Sequence, residues 1–483
     1  MYYPPLEEME NLTNHGNLIP IFKEINADLE TPVTAYLKVA RPPYSFLLES
    51  VEGGERQARY SFIGTEPSKI IKTGNGFPDG NVDPLSLIEK ELGRFTLVPV
   101  KGLPRFHGGM VGYLAYDTVC YSEPKVEPPD NDPLSLPESL FMLTDTLLIF
   151  DHVRHKIQVV SHAYIGKDIK KSYIKATKKI DSIIRRLERP LPRMHRSNPT
   201  PVIENTPPKV SSNFSKEDYL KLVEKAKEYI IAGDIIQVVP SQRFARPTSA
   251  SPLNIYRSLR AINPSPYMYY LDLDEFHIVG ASPELLVRVE DGVVLNFPLA
   301  GTRPRGETPE EDRILAEGLR SDEKEQAEHI MLVDLGRNDV GRVSQPGSVK
   351  VNDLMRVVHY SHVMHLESEV QGQLDPSKSI YDALRSCLPA GTLSGAPKIR
   401  AMEIISELEG QRRGPYGGAV GYFSFQGNMD TAITIRTMVI KDGIAYVQSG
   451  GGVVYDSIPE SEYMETLHKS QALMRAIEQA EAM

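Results

Sequence analysis

Cysteine is scarce in this chain, and its scarcity excludes two classes of protein. Cys120 and Cys387 are the only cysteines in 483 residues, so the chain cannot build a disulfide framework or a cysteine-based metal site. Their surroundings, DTVCYSE and LRSCLPA, lack the glycine-flanked turn typical of a nucleophilic cysteine. We therefore expect both to be small core residues. Tryptophan is absent altogether.

Basic blocks and long apolar runs are missing as well. The net charge is −10, and no segment dense in lysine or arginine interleaves with aromatic residues, which argues against a nucleic-acid partner. No apolar run reaches the length of a membrane span. The N-terminus, MYYPPLEEMENL, has neither the basic start nor the apolar centre of a secretory signal. The composition predicts a cytoplasmic protein without a membrane partner.

Several motifs for common chemistries are also missing. The sequence contains no HExxH, so a zinc hydrolase is not supported. It contains no GxxxxGK[ST] and no GxGxxG linked to a strand, so nucleotide binding is not supported either. The function must be carried by residues outside these motifs.

The clearest break in composition is a segment with six prolines at 189–212, which predicts a linker. It divides the chain into an N-terminal part, 1–188, and a C-terminal part, 213–483. The alternating patterns of the N-terminal part predict the following strands and one helix: strands at 44–51, 59–64, 108–117 and 139–151, and a helix at 172–190.

The C-terminal part interleaves strand-like runs with helical patterns. Its first helix should span 215–233, with Ser215 as the N-cap and Gly233 closing the other end. Further helices are predicted at 308–319, 322–336, 394–408 and 458–481. Ser457 with Glu460 predicts a capping box at the start of the last helix. Hairpins with segregated helices favour an α+β class over regular βαβ alternation.

The segment YVQSGGGVVYDSIPESEYMETLHK, 446–469, combines three chemical parts. A strand-like run leads into the glycines 450–452, whose backbone can approach an anion and direct N–H groups at it. A helix follows, and its spacing places Glu462, Glu465 and Lys469 on one face. A carboxylate pair beside an anion-binding loop indicates a divalent cation that bridges the protein and an anionic ligand.

A second pair of carboxylates with the same spacing occurs earlier, at Glu325 and Glu328. The apolar residues that follow them predict a helix that is half buried. Taken alone, such a pair is most often a solvated helix face. Two such pairs on half-buried helices are the ligands that Mg²⁺ uses when it keeps several waters.

Taken together, the motifs resemble those of the chorismate-utilising enzymes, and within that family the large subunits of anthranilate synthases. The matching segments, in chain order, are SPELL (282–286), PLAGTRPRG (298–306), AEHIMLVDLGRND (327–339), HVMHLESEV (362–370), GTLSGAPKIRAMEII (391–405), GYFSF (421–425), AITIRT (432–437) and QSGGGVVYDSIPESEYMETLHK (448–469). They span nearly all of 230–470, and eight motifs in order are far more specific than any one of them.

The resemblance implies two packed antiparallel sheets flanked by helices, with a regulatory N-terminal part and an Mg²⁺-dependent active site in the C-terminal domain. Glu328 and Glu465 would coordinate the metal, with Glu325 and Glu462 as its outer partners. Glu284 would be the general acid for the departing ring hydroxyl, His365 would assist near the ring, and Thr392 would be a third catalytic residue. The implied substrate-binding residues are Gly301, Thr302, Tyr422, Arg436, Gly450, Gly451, Gly452 and Lys469.

Two positions separate the branches of this family. Relatives that add water to chorismate usually carry a lysine base where this chain has Gln237. Relatives that make aminodeoxychorismate usually carry a lysine where this chain has Ala300. The resemblance therefore implies ammonia as the nucleophile at ring carbon 2, followed by elimination of pyruvate to give anthranilate. An aminodeoxychorismate synthase and a non-catalytic amino-acid sensor remain as alternatives, although every charged position expected for catalysis is present.

The resemblance also implies a partner and an inhibitor. Since neither cysteine has the surroundings of an activated nucleophile, the chain lacks a glutaminase of its own, so a separate glutaminase subunit would deliver ammonia within a hetero-oligomer. LLES (47–50) and NPSPYMYY (263–270) resemble the tryptophan-inhibitor segments of the family. The implied tryptophan pocket consists of Glu49, Ser50, Pro266, Tyr267 and Met268.

Overall fold

The computed structural model describes residues 1–50, 59–192, 210–360 and 363–483. The end of the strand predicted at 44–51, most of the linker predicted at 189–212 and the start of the motif at 362–370 lie outside these ranges. The described residues form two large antiparallel sheets, a two-stranded ribbon and flanking helices. The predicted α+β class with two sheets is confirmed.

The described residues before the linker form helices and strands that contribute to both sheets. The helices are α1 (Leu6–Leu12), α2 (Pro32–Val39), α3 (Pro84–Leu92) and α4 (Ile169–Leu187), with 3₁₀ turns at Thr13–His15 and Tyr116–Tyr121. The strands are β1 (Leu18–Asn26), β2 (Tyr44–Glu49), β3 (Tyr60–Thr65), β4 (Lys69–Thr73), β5 (Gly109–Leu114), β6 (Ser139–Thr144), β7 (Thr146–Asp151) and β8 (Lys156–Tyr164).

The described elements after the linker complete the fold. The helices are α5 (Lys216–Ile231), α6 (Pro252–Ile262), α7 (Pro309–Ser321), α8 (Glu323–Gly341), α9 (Ile380–Cys387), α10 (Lys398–Glu409) and α11 (Pro459–Glu481), with a 3₁₀ turn at Gly391–Leu393. The strands are β9 (Ser211–Ser212), β10 (Gln237–Val238), β11 (Ser241–Pro247), β12 (Tyr267–Leu273), β13 (Phe276–Ser282), β14 (Leu285–Glu290), β15 (Val293–Asn296), β16 (Leu299–Pro304), β17 (Lys350–His359), β18 (Val363–Gln373), β19 (Gly395–Ala396), β20 (Ala419–Ser424), β21 (Met429–Ile433), β22 (Thr437–Lys441) and β23 (Ile444–Gly450).

Both sheets combine strands from before and after the linker. The first sheet has the order β1-β8-β7-β3-β2-β12-β13-β22-β23-β11-β9. The second has the order β16-β18-β15-β14-β21-β20-β5-β6-β4, with β17 paired to β18. The two parts are joined where β2 pairs with β12 and where β5 pairs with β20, both antiparallel. The parts 1–188 and 213–483 therefore share their sheets.

Three apolar layers hold the sheets and helices together. One lies between the two sheets and contains Phe46, Tyr113 and Val420. A second packs the first sheet against α4, α6 and α11, and a third packs the second sheet against α3, α8 and α9. Burial of apolar area in such layers is the main force that stabilises the fold.

Two local predictions need correction, and one helix start is confirmed. The strand expected at 139–151 is two strands, because the chain crosses from the second sheet to the first at Asp145, a buried residue that binds Lys179 at 2.8 Å. The capping box is wrong, because α11 begins after Ile458 without a side-chain cap. Ser215 does cap α5, since its hydroxyl accepts the Asp218 N–H at 3.1 Å.

Candidate active site

The glycine segment 450–452 lies at the end of β23, in the connection that leads to α11. Lys469, almost three turns into that helix, donates to the Gly450 carbonyl at 2.9 Å and pairs with Glu465 at 2.7 Å. A Cβ atom at Gly450 would lie 2.5 Å from the Pro240 carbonyl and 3.1 Å from the Tyr416 hydroxyl, so only glycine fits there. Lys469 and Tyr416 thus place an ammonium group and a phenol beside the backbone of the glycine segment.

Glu284 precedes strand β14 and is 8% exposed. Thr392, on the 3₁₀ turn Gly391–Leu393, donates its hydroxyl hydrogen to Glu284 Oε1 at 3.1 Å. Burial raises the pKa of Glu284 to about 8, while the Thr392 hydrogen bond and the charge of Lys469 oppose that rise. The carboxyl is therefore protonated near neutral pH and can act as an acid.

The four glutamates predicted to serve the metal converge from α8 and α11. Burial and the like charges of Glu325 and Glu465 raise the pKa of Glu328. Burial and the charge of Glu465 also raise the pKa of Glu462. The charge of Glu465 thus acts on one glutamate of each pair, Glu328 on α8 and Glu462 on α11, which indicates that the two carboxylate pairs face one common space.

Basic and amide groups already engage part of this cluster. Arg303 binds Glu325 at 3.0 Å, and Lys469 binds Glu465. The Gln237 amide hydrogen-bonds Glu328 and lies 2.5 Å from the position that a Cβ at Gly452 would take. Gln237 therefore connects the α8 carboxylates to the glycine segment.

The donor set suits a hard divalent cation. Glu462 Oε2 is buried and has no hydrogen-bond partner among the described residues, which leaves a carboxylate oxygen without compensation. A Cβ at Gly451 would lie 2.8 Å from that same oxygen. No group of three metal-ligating side chains within the described ranges is close enough to hold an ion as it stands. The Arg303 and Lys469 ion pairs would have to loosen for all four carboxylates to serve an ion.

Arg436 reaches this space from the turn between β21 and β22. Its backbone is left-handed, with φ of 48°, and its guanidinium forms no ion pair with the described residues. Burial lowers its pKa, while Tyr416 and Glu465 oppose that change. A half-buried cation without an ion pair favours an anionic ligand.

His365 lies beside the turn that carries Gly301 and Thr302. Its Nδ1 is 2.8 Å from the Gly301 carbonyl and 3.1 Å from the Thr302 hydroxyl. Because a carbonyl only accepts, Nδ1 carries the hydrogen and Nε2 is the nitrogen able to take up a proton. Burial lowers the pKa of His365, so the ring is neutral. Gly301 has φ of 61°, and a Cβ there would lie 3.0 Å from Glu325 Oε2.

A separate cavity of about 420 Å³ adjoins the cleft, since Glu284 is in its wall, and it is bordered by all five residues of the implied tryptophan pocket. Its polar lining includes Arg105, Arg288 and Asp430, and the Tyr267 hydroxyl bonds Asp430 at 3.1 Å and Arg288 at 3.0 Å. The carboxylate of Glu49 turns to the opposite face of the sheet, where Tyr256 and Arg260 hold it. Glu49 therefore borders the cavity without presenting its charge to it.

Tyr422 is the one predicted substrate-binding residue that the structure does not bring to the cleft. Its ring stacks on Phe106, with centroids 4.1 Å apart, and lines the separate cavity. Alternation along β20 explains this, because it directs Tyr422 into the layer between the sheets with Val420. Tyr416, six residues earlier, occupies the expected place beside Gly450, and no periodic signal in the sequence distinguished it.

The comparisons with known proteins identify the family of the chain. The profile of the chorismate binding enzyme family matches residues 44–475, so the chain belongs to that family. It is 49% identical to anthranilate synthase component 1 of Acetivibrio thermocellus, over 99% of both chains. It is 46% identical to the Saccharomyces cerevisiae component 1, over 98% of this chain and 95% of the yeast protein.

Solved structures show the same fold. Anthranilate synthase component I from Streptococcus pneumoniae TIGR4 superposes with a TM-score of 0.76 at 38% identity, covering 93% of this chain and 99% of that one. The isochorismate synthase MenF of Escherichia coli gives a TM-score of 0.72 at 18% identity, over 98% of this chain and 99% of that one, and at this identity it supports the fold alone. The resemblance predicted from the motifs is confirmed. No helix within the described ranges is long and apolar enough to cross a membrane.

Proposed function

We propose that this chain is the synthase component of an anthranilate synthase, which converts chorismate and ammonia into anthranilate, pyruvate and water. The observation that carries the proposal is Glu284, a buried acid that accepts a hydrogen bond from Thr392 and interacts with the charge of Lys469. Lys469 in turn borders the glycine segment. An acid beside an anion site is what a dianionic substrate with a poor leaving group requires.

The substrate carboxylates are assigned to the cationic and N–H donors of the cleft. Lys469 and the Tyr416 hydroxyl lie beside the backbone of Gly450, and Arg436 is close enough to Tyr416 and Glu465 to interact with their charges, so a ring carboxylate would be held among these three side chains. The donors are fixed by the helix and strand that carry them before substrate arrives. Such preorganisation lowers the cost of developing charge in the transition state.

The first chemical step is amination with loss of water. The ammonia lone pair forms a bond to ring carbon 2, the ring double bonds shift, and the bond between carbon 4 and its hydroxyl oxygen breaks. Glu284 delivers its proton to the departing oxygen, so that water rather than hydroxide leaves. The product is aminodeoxyisochorismate, and the ammonium proton passes to solvent or to a basic group.

The second step eliminates pyruvate and makes the ring aromatic. A base removes the hydrogen at carbon 2, and the bond to the enolpyruvyl oxygen breaks. The base near the Gly301 turn would be Nε2 of His365, because Nδ1 carries the hydrogen of the neutral ring. The released enolpyruvate takes up a proton and becomes pyruvate.

We assign Mg²⁺ to the carboxylates of α8 and α11, with Glu328 and Glu465 as ligands and Glu325 and Glu462 as outer partners. The uncompensated Glu462 Oε2 and the raised pKa of Glu328 support this assignment. When bound, the ion would neutralise these carboxylates and hold a substrate carboxylate.

Ammonia would come from a separate glutaminase subunit. Burial raises the pKa of Cys120 to about 11 and of Cys387 to about 12, so neither is the thiolate that glutamine hydrolysis needs. The relatives named component 1 are consistent with an assembly that has a second component. Free ammonium should replace the partner. Cytoplasmic location stays a prediction.

Tryptophan is proposed as the ligand of the separate cavity. The aromatic and aliphatic residues Phe62, Tyr422 and Leu48 would contact an indole, and the Arg288–Asp430 pair would meet a zwitterionic backbone. Pro283 to Leu285 form part of the cavity wall and include the proposed acid. Tryptophan in this cavity would therefore be coupled to the position of Glu284. By linkage, tryptophan and chorismate would then change each other's affinity by the same factor.

The proposal is tested by product analysis. The isolated chain is incubated with chorismate, Mg²⁺ and ammonium at a pH no higher than the Glu284 pKa of about 8, and products are separated by chromatography with fluorescence detection. Anthranilate that disappears with EDTA or in Glu465→Ala supports it. Aminodeoxychorismate, isochorismate or salicylate as the main product would assign the chain to a sister branch, and chorismate binding without turnover would favour the sensor.

A further inference from the structure

Arg413 is a buried guanidinium behind the cleft, and its side chain is 1% exposed. Its Nε and Nη2 bind the two carboxylate oxygens of Glu409, at 2.9 and 2.6 Å. This bidentate pair uses only part of the guanidinium's donors. Two of the three remaining N–H groups bind backbone carbonyls of two other segments, which is more than charge compensation requires.

The two carbonyls belong to segments that carry parts of the site. Nη1 donates to the Leu393 carbonyl at 2.7 Å, and Leu393 follows Thr392 directly. Nη2 donates to the Val239 carbonyl at 2.7 Å, on the segment that continues from Gln237. The Arg413 guanidinium thereby fixes two segments relative to each other. One is the turn that carries Thr392, the hydrogen-bond partner of Glu284, and the other is the strand that carries Gln237, beside Gly452.

Glu409 and two tyrosines extend the connection to the glycine segment. Glu409 Oε1 accepts the backbone N–H and the hydroxyl of Ser241, at 2.7 and 2.9 Å, and Ser241 is opposite Gly450 in the sheet. The guanidinium also lies over the rings of Tyr116 and Tyr416, 4.6 and 5.5 Å from their centroids. The phenol of Tyr416 is the one that lies beside Gly450.

We propose that Arg413 is a positioning residue for the proposed reaction: with Glu409 it sets the Thr392 turn, and through it the acid Glu284, in register with the glycine segment that receives the substrate anion. Arg413 touches neither substrate nor Glu284 and acts through Thr392 and Tyr416. The positioning role of Arg413 rests on the proposed function, whereas the contacts of Arg413 are independent of it.

The test compares Arg413→Lys with Arg246→Lys. Arg246 is an equally buried arginine that binds the Met474 carbonyl and Glu481 at the far end of α11, away from the cleft. Lysine keeps the charge and loses the planar fork in both cases. We expect Arg413→Lys to reduce kcat with ammonium by roughly tenfold or more, since misplaced catalytic groups cost that much, while Arg246→Lys stays near wild type.

The pH profile separates positioning from general destabilisation. Thr392→Val removes a hydrogen bond to the charged form of Glu284, so it should move the basic limb of the kcat profile to higher pH. Arg413→Lys should move that limb in the same direction, and the double variant should move it no further than Thr392→Val alone. An unchanged limb in Arg413→Lys, or fully additive shifts, would overturn the positioning role.

A second readout does not depend on turnover. Amide hydrogen exchange should be faster at 390–394 in Arg413→Lys than in wild type or Arg246→Lys, under conditions where all three are folded. Equal exchange would refute the inference even if the chain makes anthranilate. Wild-type protein that makes no anthranilate would instead refute the proposed function, whatever the exchange data show.

Discussion

Thr392 donates a hydrogen bond to Glu284 Oε1 over 3.1 Å, and it is the polar contact that opposes protonation of this buried acid. Glu284 must be protonated to help the hydroxyl leave. Activity should therefore be maintained below the pKa of about 8 and decrease as pH rises through it. The kcat profile with saturating chorismate and ammonium measures this, and a basic limb unchanged in Thr392→Val would contradict the assignment.

Glu462→Gln should separate stability from metal binding. At neutral pH the Glu462 carboxylate has a buried oxygen without a partner, so a neutral amide should leave the melting temperature of the metal-free chain unchanged or higher. The same change should weaken Mg²⁺ binding in calorimetry by roughly tenfold or more. Glu460→Gln, on the exposed face of the same helix where Glu460 pairs with Lys216, is the control and should alter neither quantity. Equal Mg²⁺ affinity in the two variants would remove Glu462 from the metal site.

The absence of tryptophan from the chain allows a direct binding measurement. Added tryptophan is the only indole in solution, so its emission should shift to shorter wavelength when it enters the apolar cavity. Leu48→Tyr, which places a larger side chain in the cavity lining, should weaken this binding and tryptophan inhibition by roughly tenfold. Leu354→Tyr, at an exposed apolar position, should not. An emission shift that is the same in both variants would argue against this cavity as the tryptophan site.

A buried histidine pair should make the fold sensitive to acid. His107 Nδ1 lies 3.1 Å from His162 Nε2, and burial lowers the pKa of His107 to about 3 and of His162 to about 4. The unfolded chain takes up protons near the ordinary pKa of 6.5, so stability should be complete above that pH and decrease as pH falls toward 4. Each histidine should contribute a slope of about 1.4 kcal/mol per pH unit.

Urea unfolding between pH 7 and pH 5 checks this expectation. His162→Gln should reduce the slope, and His15→Gln, at an exposed position, should leave it unchanged. A slope that is the same in wild type and His162→Gln would contradict the account of the buried pair.

The motifs predicted most of the cleft because short-range patterns fix local geometry. Glycines at 450–452, followed by Glu465 and Lys469 at helical spacing, can place their groups only near one another. Glu284 and Thr392 are 108 residues apart, and their hydrogen bond was not derivable from spacing. Only the resemblance to a known family connected such distant positions.

The remaining differences arise from tertiary packing. Tyr422 lies within β20, whose alternation directs it with Val420 into the layer between the sheets, whereas Tyr416 precedes the strand and is placed by tertiary packing beside Gly450. Glu49 was expected to face the cavity, but a hydrogen bond from Tyr256 and an ion pair with Arg260 hold it on the other face. The proline-rich segment indicated a division of the chain, and local composition could not reveal that both sheets continue across it.

The most direct test of the central claim is the stoichiometry of products from the isolated chain. Chorismate, Mg²⁺ and ammonium are supplied to wild type, to Glu284→Gln and to Glu275→Gln, an exposed control, and anthranilate and pyruvate are quantified. We predict equal amounts of anthranilate and pyruvate from wild type and from Glu275→Gln. In Glu284→Gln the rate of product formation should decrease on the order of a hundredfold or more. Wild-type turnover without anthranilate, or equal rates in Glu284→Gln and the control, would contradict it.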